Sequence, residues 1–307
     1  MNSVNECVRN YDSLVQRFCW VDDFCQMFCH EYRTHLLVSG HVRRNRQACL
    51  SDSEIMTIMI EFHYSRYADF KAFYLEYVSI HLKKLFPGLV SYNRFVELLP
   101  RVLISLMWLM QSILLPCTGI SFVDSTVLRV CHIKRMFNHK VFKGIAKHGK
   151  STMGWFFGFK LHLVVSEEGG LISCLLTPGN VDDRSPLAHL TKKIFGKLFA
   201  DKGYISSEWF TKLYDQGIKL VTGIRSNMKN KLMPLMEKIY LRKRSIIETI
   251  NDCVKNVCHI DHTRHRSPAN FLVNLYAGLI AYQLSPKKPK ITFTNSELKL
   301  LPTMTEC

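Results

Sequence analysis

Along residues 1 to about 116 the apolar positions recur with a helical period and show no clear strand alternation. Ser51-Asp52-Ser53-Glu54 leads into the apolar run 54-EIMTIMIEFHY-64 in the order of a capping box. Leu82–Phe86 predicts a helix stopped by Pro87-Gly88, and Ser91 is an N-cap candidate for 92-YNRFVELL-99. Pro100 follows, and another apolar helix is expected from about Arg101. A short helix, a Pro-Gly turn and a capped helix carrying Tyr92, Asn93 and Arg94 suit a helix-turn-helix; a plain corner of a helical bundle fits as well. The longest apolar run, Val102–Pro116, is broken by Ser105, Gln111 and Ser112. It is short for a bilayer span and predicts a buried helix.

From Gly119 the period changes to that of strands. The segments 119-GISFVDSTVL-128, 157-FGFKLHLVV-165 and 171-LISCLLT-177 predict three strands, with 167-EEGG-170 as a hairpin turn between the last two. After the loop 178-PGNVDDRSP-186 come a helix over 187–195, a short strand at 197-KLFAD-201, a helix over 206–217, a strand at 219-KLVTGI-224 and a helix over 245–257. The first three strands suit an antiparallel meander, and the last two need crossovers and so pair in parallel. The expected fold is therefore α/β, a ribonuclease-H-like mixed five-stranded sheet with flanking helices, preceded by an all-α N-terminal region. The domains are expected at 1–116 (helical, candidate DNA-binding), 117–284 (catalytic) and 285–307, a solvated basic tail opening with 285-SPKKPK-290.

Composition narrows the partners. The chain has 307 residues and 47% hydrophobic content, enough for a sizeable core. Its 41 Lys and Arg against 25 Asp and Glu give a net charge of +16, which points to a polyanion such as nucleic acid. Met1–Cys19 is polar and interrupted by charge, unlike a secretory signal. The eleven cysteines lack framework spacing and read as reduced thiols. Cys25/Cys29/His30 and Cys253/Cys258/His259 are conceivable zinc half-sites, but neither contains a Cys-x2-Cys pair.

Three acids stand out. Asp124 lies inside the first strand, where a carboxylate is disfavoured. Asp201 ends the fourth, which neighbours the first in a sheet of this order. Facing carboxylates raise each other's pKa unless a cation neutralises them, and a divalent ion with oxygen ligands is the economical cation. Glu248 lies on the helix after the last strand. At α-helical spacing Arg244, Glu248, Asp252 and Lys255 share one face, while Ile246, Ile247, Ile250 and Val254 form an apolar one. Taken alone, Asp201 suits an Asp-Lys-Gly turn, Asp124 a bond to Ser125 or Thr126, and Glu248 a pair with Arg244. Together they suit two metal ions in phosphoryl transfer, with Lys255 and Arg244 holding neighbouring phosphates.

The spacing Arg244-x3-Glu248-x6-Lys255 resembles the third-acid motif of DDE transposases of bacterial insertion sequences, in the broad insertion-sequence-four group. The tyrosine of that motif is out of place: Leu241 holds its position and Tyr240 lies one residue early. The segments 155-WFFGFKLHL-163, 177-TPGNVDDR-184, 200-ADKGY-204 and 262-HTRHRSPANFLVNLYAGLIAY-282 are also similar to this class, closest to insertion-sequence family nine-eight-two. The resemblance covers roughly residues 40 to 284. The short path from Ile224 to Glu248 leaves no room for the β insertion of some relatives. The resemblance implies Asp124, Asp201 and Glu248 as catalytic metal ligands, two Mg²⁺ ions (Mn²⁺ as substitute), and cleavage and strand transfer of DNA. It further implies a bacterial, cytoplasmic, nucleoid-associated protein, with no membrane or small-molecule substrate. A homodimer is the natural state for joining two DNA ends.

Two basic stretches adjoin the acids in sequence. Lys134, Arg135, Lys140, Lys143, Lys147, Lys150 and Lys160 come with Phe137, Phe142, Trp155 and Phe156, and Arg225–Arg244 holds seven more cations against Glu237. Such stretches suit a phosphate track with stacking on distorted bases. Asn93 and Arg94 suit adenine and guanine edges in a major groove. His259, His262, Arg264, His265 and Arg266 form a third cluster without an assigned role. The competing readings are a ribonuclease-H-like nuclease without strand transfer and a catalytically silent DNA-binding copy.

Overall fold

The computed structural model describes residues 13–28, 49–65, 67–152, 154–228, 232–261 and 265–298. The chain divides into two compact units: Met1–Ile113 with Val254–Leu284, and Leu114–Cys253 with Ser285–Cys307. The cuts after 113 and 284 lie close to those expected at 116 and 284, but residues 254–284 group with the N-terminal helices and residues 285–307 with the sheet unit. Residues Pro268–Leu284 form a helix buried on nearly every side, and it finds its partners among the other all-α segments.

The first unit is helical. Helix α1 spans 13–28 and α2 spans Asp52–Tyr64. The capping box forms as expected. Ser51 Oγ accepts from the Glu54 N–H at 3.1 Å, and Glu54 Oε2 accepts from the Ser51 N–H at 2.7 Å. The two acids that helix α2 buries have cationic partners: Arg17 Nε donates to Glu61 at 3.0 Å, and Arg101 pairs with Asp52; the buried Thr57 hydroxyl has no partner among the described residues. Helix α3 (Phe70–Ala72) passes through a π-helical stretch, Phe73–Val78, into α4 (Ser79–His81). Leu82–Phe86 is turn and not the helix expected there. Residues 82–91 then connect to α5 (Tyr92–Leu98), whose N-cap is Ser91. That connection exceeds the turn of about three or four residues in a helix-turn-helix, so the bundle corner is the better description. A 3₁₀ turn, Leu99–Val102, leads into α6 (Leu103–Ser112). The run Tyr92–Ser112 is long and apolar enough to cross a membrane by length and composition, yet Phe95, Leu99, Val102, Leu106, Leu109 and Met110 are buried in this unit's core.

The second unit is built on a mixed sheet of six strands, one more than expected: β1 (Ile120–Cys131), β2 (Lys147–Ser151), β3 (Gly154–Ser166), β4 (Leu171–Pro178), β5 (Gly196–Ala200) and β6 (Ile218–Thr222). The order runs β2-β3-β1-β5-β6, with β4 also on β3. Strand β3 is long enough to carry β2 on its first half and β4 on its second, and β1 on its other edge. The β1-β3-β4 meander is antiparallel, and β1-β5-β6 pair in parallel. This is the ribonuclease-H-like arrangement. Strand β2 escaped the sequence pattern because 147-KHGKS-151 has no apolar alternation and pairs on one side only.

Alternation sorts the two faces. Val123, Val164, Leu198 and Leu220 pack with Leu187 and Leu190 of α7 (Leu187–Leu190) and Leu213 of α8 (Ser207–Asp215). Phe122 and Phe199 point the other way and meet Tyr240 of α9 (Leu235–Arg242) at 6.4 and 5.4 Å. Helix α10 (Ser245–Asp252) buries Ile246, Ile247 and Ile250 and packs against β1. Its backbone runs on into a π-helical turn, Cys253–Val257, and α11 (Pro268–Leu284) completes the helical unit. The described part of the tail is not solvated as expected. Ile291 N–H donates to Glu167 O at 2.9 Å, Phe293 stands edge-on to Tyr240, and Lys243 pairs with Glu297 of α12 (Asn295–Leu298) at 2.9 Å.

Candidate active site

The parallel register of β1 and β5 pairs Ile120 with Lys197, Ser121 with Leu198 and Phe122 with Phe199. Continued two residues, the same offset sets Asp124 beside Asp201. Period two puts Asp124 on the face of Phe122 and Asp201 on the face of Phe199, the face that α9 and α10 occupy. Glu248 reaches the same place from the first turn of α10.

Each acid can be compared with its simplest alternative. Asp201 does open a turn, but with its backbone: its carbonyl accepts from Tyr204 N–H at 3.0 Å, and its side chain makes no capping bond. Ser125 does not satisfy Asp124 through its hydroxyl, which donates instead to Asp183 at 2.9 Å. Glu248 does pair with Arg244, at 2.9 Å, and the same guanidinium stands 3.8 Å from Asp201. Arg244, only 18% exposed, therefore ties two of the acids together. Half-buried Asp124 is pushed up to about 6 by desolvation; the Ser125 backbone and Arg244 oppose the shift, while Glu248 and Asp201 add to it. A carboxylate in that state wants either a proton or a cation.

Around the acids lie groups that the sequence pattern did not reveal. Asn251 Nδ2 donates to Asp124 Oδ2 at 3.2 Å, and its buried Oδ1 has no partner among the described residues. It follows Glu248 by three positions, and that helical spacing was the available signal. Tyr204, in the 200-ADKGY-204 segment, is buried with its hydroxyl unpartnered among the described residues. Desolvation raises its pKa, as do the charges of Asp124, Asp183 and Asp201. Lys160 is not a surface cation: its Nζ is 3.1 Å from Asp183 and donates to Val181 O at 2.9 Å. His162, fully buried on β3, bonds Thr177 Oγ1 at 2.8 Å and is lowered to about 4 by desolvation.

The donors here are hard oxygens, and a half-buried carboxylate next to an amide oxygen without a partner fits a divalent cation of the magnesium kind. Among the described residues, however, no group of three His, Cys, Asp or Glu side chains is already gathered as an ion-binding cluster. That holds for Cys253, Cys258 and His259 of the second zinc half-site, while Cys29 and His30 of the first lie outside the described residues.

The remaining sequence candidates fall in different places. Lys134, Arg135, Lys140, Lys143 and Lys150 are exposed on the segment from β1 to β3, with Phe137 and Trp155 also exposed; Phe142 and Phe156 are core residues instead. Trp155 stacks on His148 at 4.6 Å, with Lys150 Nζ 5.5 Å from its ring. Lys255 follows the end of α10 on the π-helical turn, where the α-helical count stops, and its Nζ meets Asp261 at 3.4 Å. Arg94 pairs with Glu97 at 2.8 Å on the exposed side of α5. Asn93 lines a cleft of the helical unit. His262 and Arg264 lie outside the described residues.

The solved structures that the fold resembles include the piggyBac transposase synaptic complex with hairpin DNA, at 11% identity and a TM-score of 0.42, covering 87% of this chain and 80% of that one. The Mos1 strand transfer complex follows at 11% identity and 0.23, covering 73% and 82%. Likeness at this level carries no argument. No curated protein matches the chain. The family model for the transposase DDE domain matches residues 115–268, half of the chain and nearly all of the sheet unit with its three acids. The chain belongs to the DDE transposase family.

Proposed function

We propose that the chain is the transposase of an insertion sequence, binding the ends of its element and carrying out metal-dependent cleavage and strand transfer of DNA. The observation that carries this reading is Asp124: a carboxylate set inside a strand, half-desolvated, and flanked by Asp201 from β5 and Glu248 from α10. Asp124, Asp201 and Glu248 would hold the ions. When bound, two divalent ions lower the pKa of an attacking water or 3′-hydroxyl and stabilise the leaving oxygen of an in-line displacement.

The chain's own residues do the rest. Asn251 holds one Asp124 oxygen and so fixes the plane of the carboxylate. Arg244 shields Glu248 and Asp201 from each other and stands ready to move to a phosphate once ions take over that neutralisation. The exposed cations from Lys134 to Lys150 supply a phosphate track, and Trp155 a stacking face. Two such chains on two DNA ends make the working assembly.

The test is cleavage of a labelled duplex carrying the gene's own flanking end. Wild type is expected to cut at the boundary with Mg²⁺ and not with EDTA, and Asp201→Asn to bind the duplex without cutting. Tight binding without cutting by both proteins would replace this reading with a silent copy. Cutting with no joined product would leave a nuclease.

A further inference from the structure

The helical unit holds a cleft of about 1190 Å³ that has no part in the reading above. It lies between α2, α5 and α11, above the range of roughly 300–1,000 Å³ usual for small ligands, and it is open to solvent. One side is aromatic: Phe62, Phe70 and Tyr92, with Phe70 5.4 Å from Phe62 and 6.3 Å from Tyr92 between ring centres. The exposed cations Lys71 and Arg266 stand at its rim, and neither pairs with an acid among the described residues. The one acid of the lining, Asp69, accepts from Ala72 N–H at 3.0 Å as the cap of α3.

The rest of the wall is amide. Asn93 lies at the mouth, and Asn270 is buried within. Asn270 Nδ2 donates to Val96 O at 3.3 Å, while its Oδ1 has no partner among the described residues. A buried acceptor left unpaired is destabilising unless something supplies a donor. The wall also contains His259, held at a φ of 47°, a conformation that L residues adopt rarely and that concentrates at binding sites. His259, His265 and Arg266 belong to the basic cluster that sequence analysis left without a role.

Flat aromatic faces, amide groups for an edge and cations for a phosphate are the three needs of a nucleotide outside a duplex. We propose that this cleft takes an unpaired deoxynucleotide of bound DNA. Its base stacks on Phe70 and Tyr92, its edge meets Asn93 and the free acceptor of Asn270, and its phosphate meets Lys71 and Arg266. The proposal rests on the reading that the chain acts on DNA, but not on its chemistry.

The test uses the full chain and two labelled single strands of about ten residues, one of ordinary deoxynucleotides and one wholly abasic, followed by anisotropy. Stacking is worth about 1–3 kcal/mol per base, so wild type should bind the ordinary strand at least ~5-fold tighter. Tyr92→Leu should remove that preference, and Tyr214→Leu, at an exposed aromatic of the sheet unit with no part in binding, should keep it. Lys71→Ala with Arg266→Ala, at two exposed positions that spare the core, should weaken both strands alike and flatten the salt dependence. Equal affinity of wild type for the two strands, no binding of either, or a preference that survives in folded Tyr92→Leu would overturn the proposal. Asp201→Asn should retain the preference, so failure of the cleavage test and failure of this one are read separately.

Discussion

At the scale of single residues the site turns on what surrounds Asp124. Asn251 gives that carboxylate its one side-chain hydrogen bond from α10. Replacing it with Ala removes the bond and frees the rotation of the acid without touching an ion ligand. Losses of roughly 10–100-fold in metal affinity or activity are usual for such supporting residues. Asn251→Ala should therefore need more Mg²⁺ for half-maximal cleavage, and an unchanged Mg²⁺ titration would show that Asp124 is held by other means. Tyr204 gives the opposite expectation. Its hydroxyl is buried within the field of Asp124, Asp183 and Asp201 and has no partner among the described residues, so Tyr204→Phe removes a desolvation penalty and should raise stability by about 1 kcal/mol in the absence of divalent ions. Chemical denaturation measures it; a loss of stability would mean that the hydroxyl is bonded through solvent. The three acids were legible in the sequence because a strand-interior Asp, a strand-end Asp and a helix Glu with flanking cations are each local patterns. The roles of Asn251, Tyr204 and Lys160 were not, because each depends on where a side chain meets a residue far along the chain. Lys160 belongs in the sequence to a basic stretch, and only the fold sets Asp183 beside it.

At the scale of elements, strand alternation and capping chemistry carried the fold. The capping box at Ser51 and the N-cap at Ser91 form where the sequence put them. The elements misread are those with weak local signals: the charged edge strand β2, the turn at Leu82–Phe86, and the π-helical stretches that disturb a count based on 3.6 residues per turn. The π turn after α10 also explains why Lys255 meets Asp261, where simple counting aligned it with Glu248. Strand β3 shows how tightly the sheet is built. A Cβ at Gly158 would stand 2.1 Å from Leu128 O in β1, with no side chain there to yield. Gly158→Ala must push two paired strands apart next to the bulge between Arg129 and Cys131. A cost of about 1–3 kcal/mol is expected from overpacking alone, read as a lower denaturation midpoint. A midpoint equal to wild type would mean that the β1–β3 pair is looser than its register implies.

Across the whole molecule, burial of histidines sets the response to acid. His63 in the helical unit and His162 in the sheet unit are 3% and 0% exposed, and desolvation lowers them to about 3 and about 4. Folded, they stay neutral below pH 6.5; unfolded, they take up protons near 6.5. The unfolded state thus binds more protons between pH 6.5 and about 4, and stability falls as pH drops through that window. Each proton of difference is worth about 1.4 kcal/mol per pH unit. Asp124 acts in the other direction. Its folded pKa of about 6 lies above the ordinary 3.8, so the folded state binds its proton first, and falling pH adds stability over that range. Desolvation of Glu61 works with Asp124, against the pull of Arg17. With His162 and Asp124 in the same unit their slopes nearly cancel between pH 6 and 4, whereas in the helical unit two histidines lowered by desolvation, His63 and His265, act together against Glu61 alone. Acid titration should therefore unfold the helical unit before the sheet unit, and the order should be visible in hydrogen exchange at pH 4.5. Mg²⁺ sharpens the expectation for the sheet unit. An ion on Asp124 returns its pKa towards the ordinary range and removes the offset, so adding Mg²⁺ should make that unit more acid-sensitive relative to its own stability at neutral pH. An acid response unchanged by Mg²⁺ would place the ion elsewhere than on Asp124.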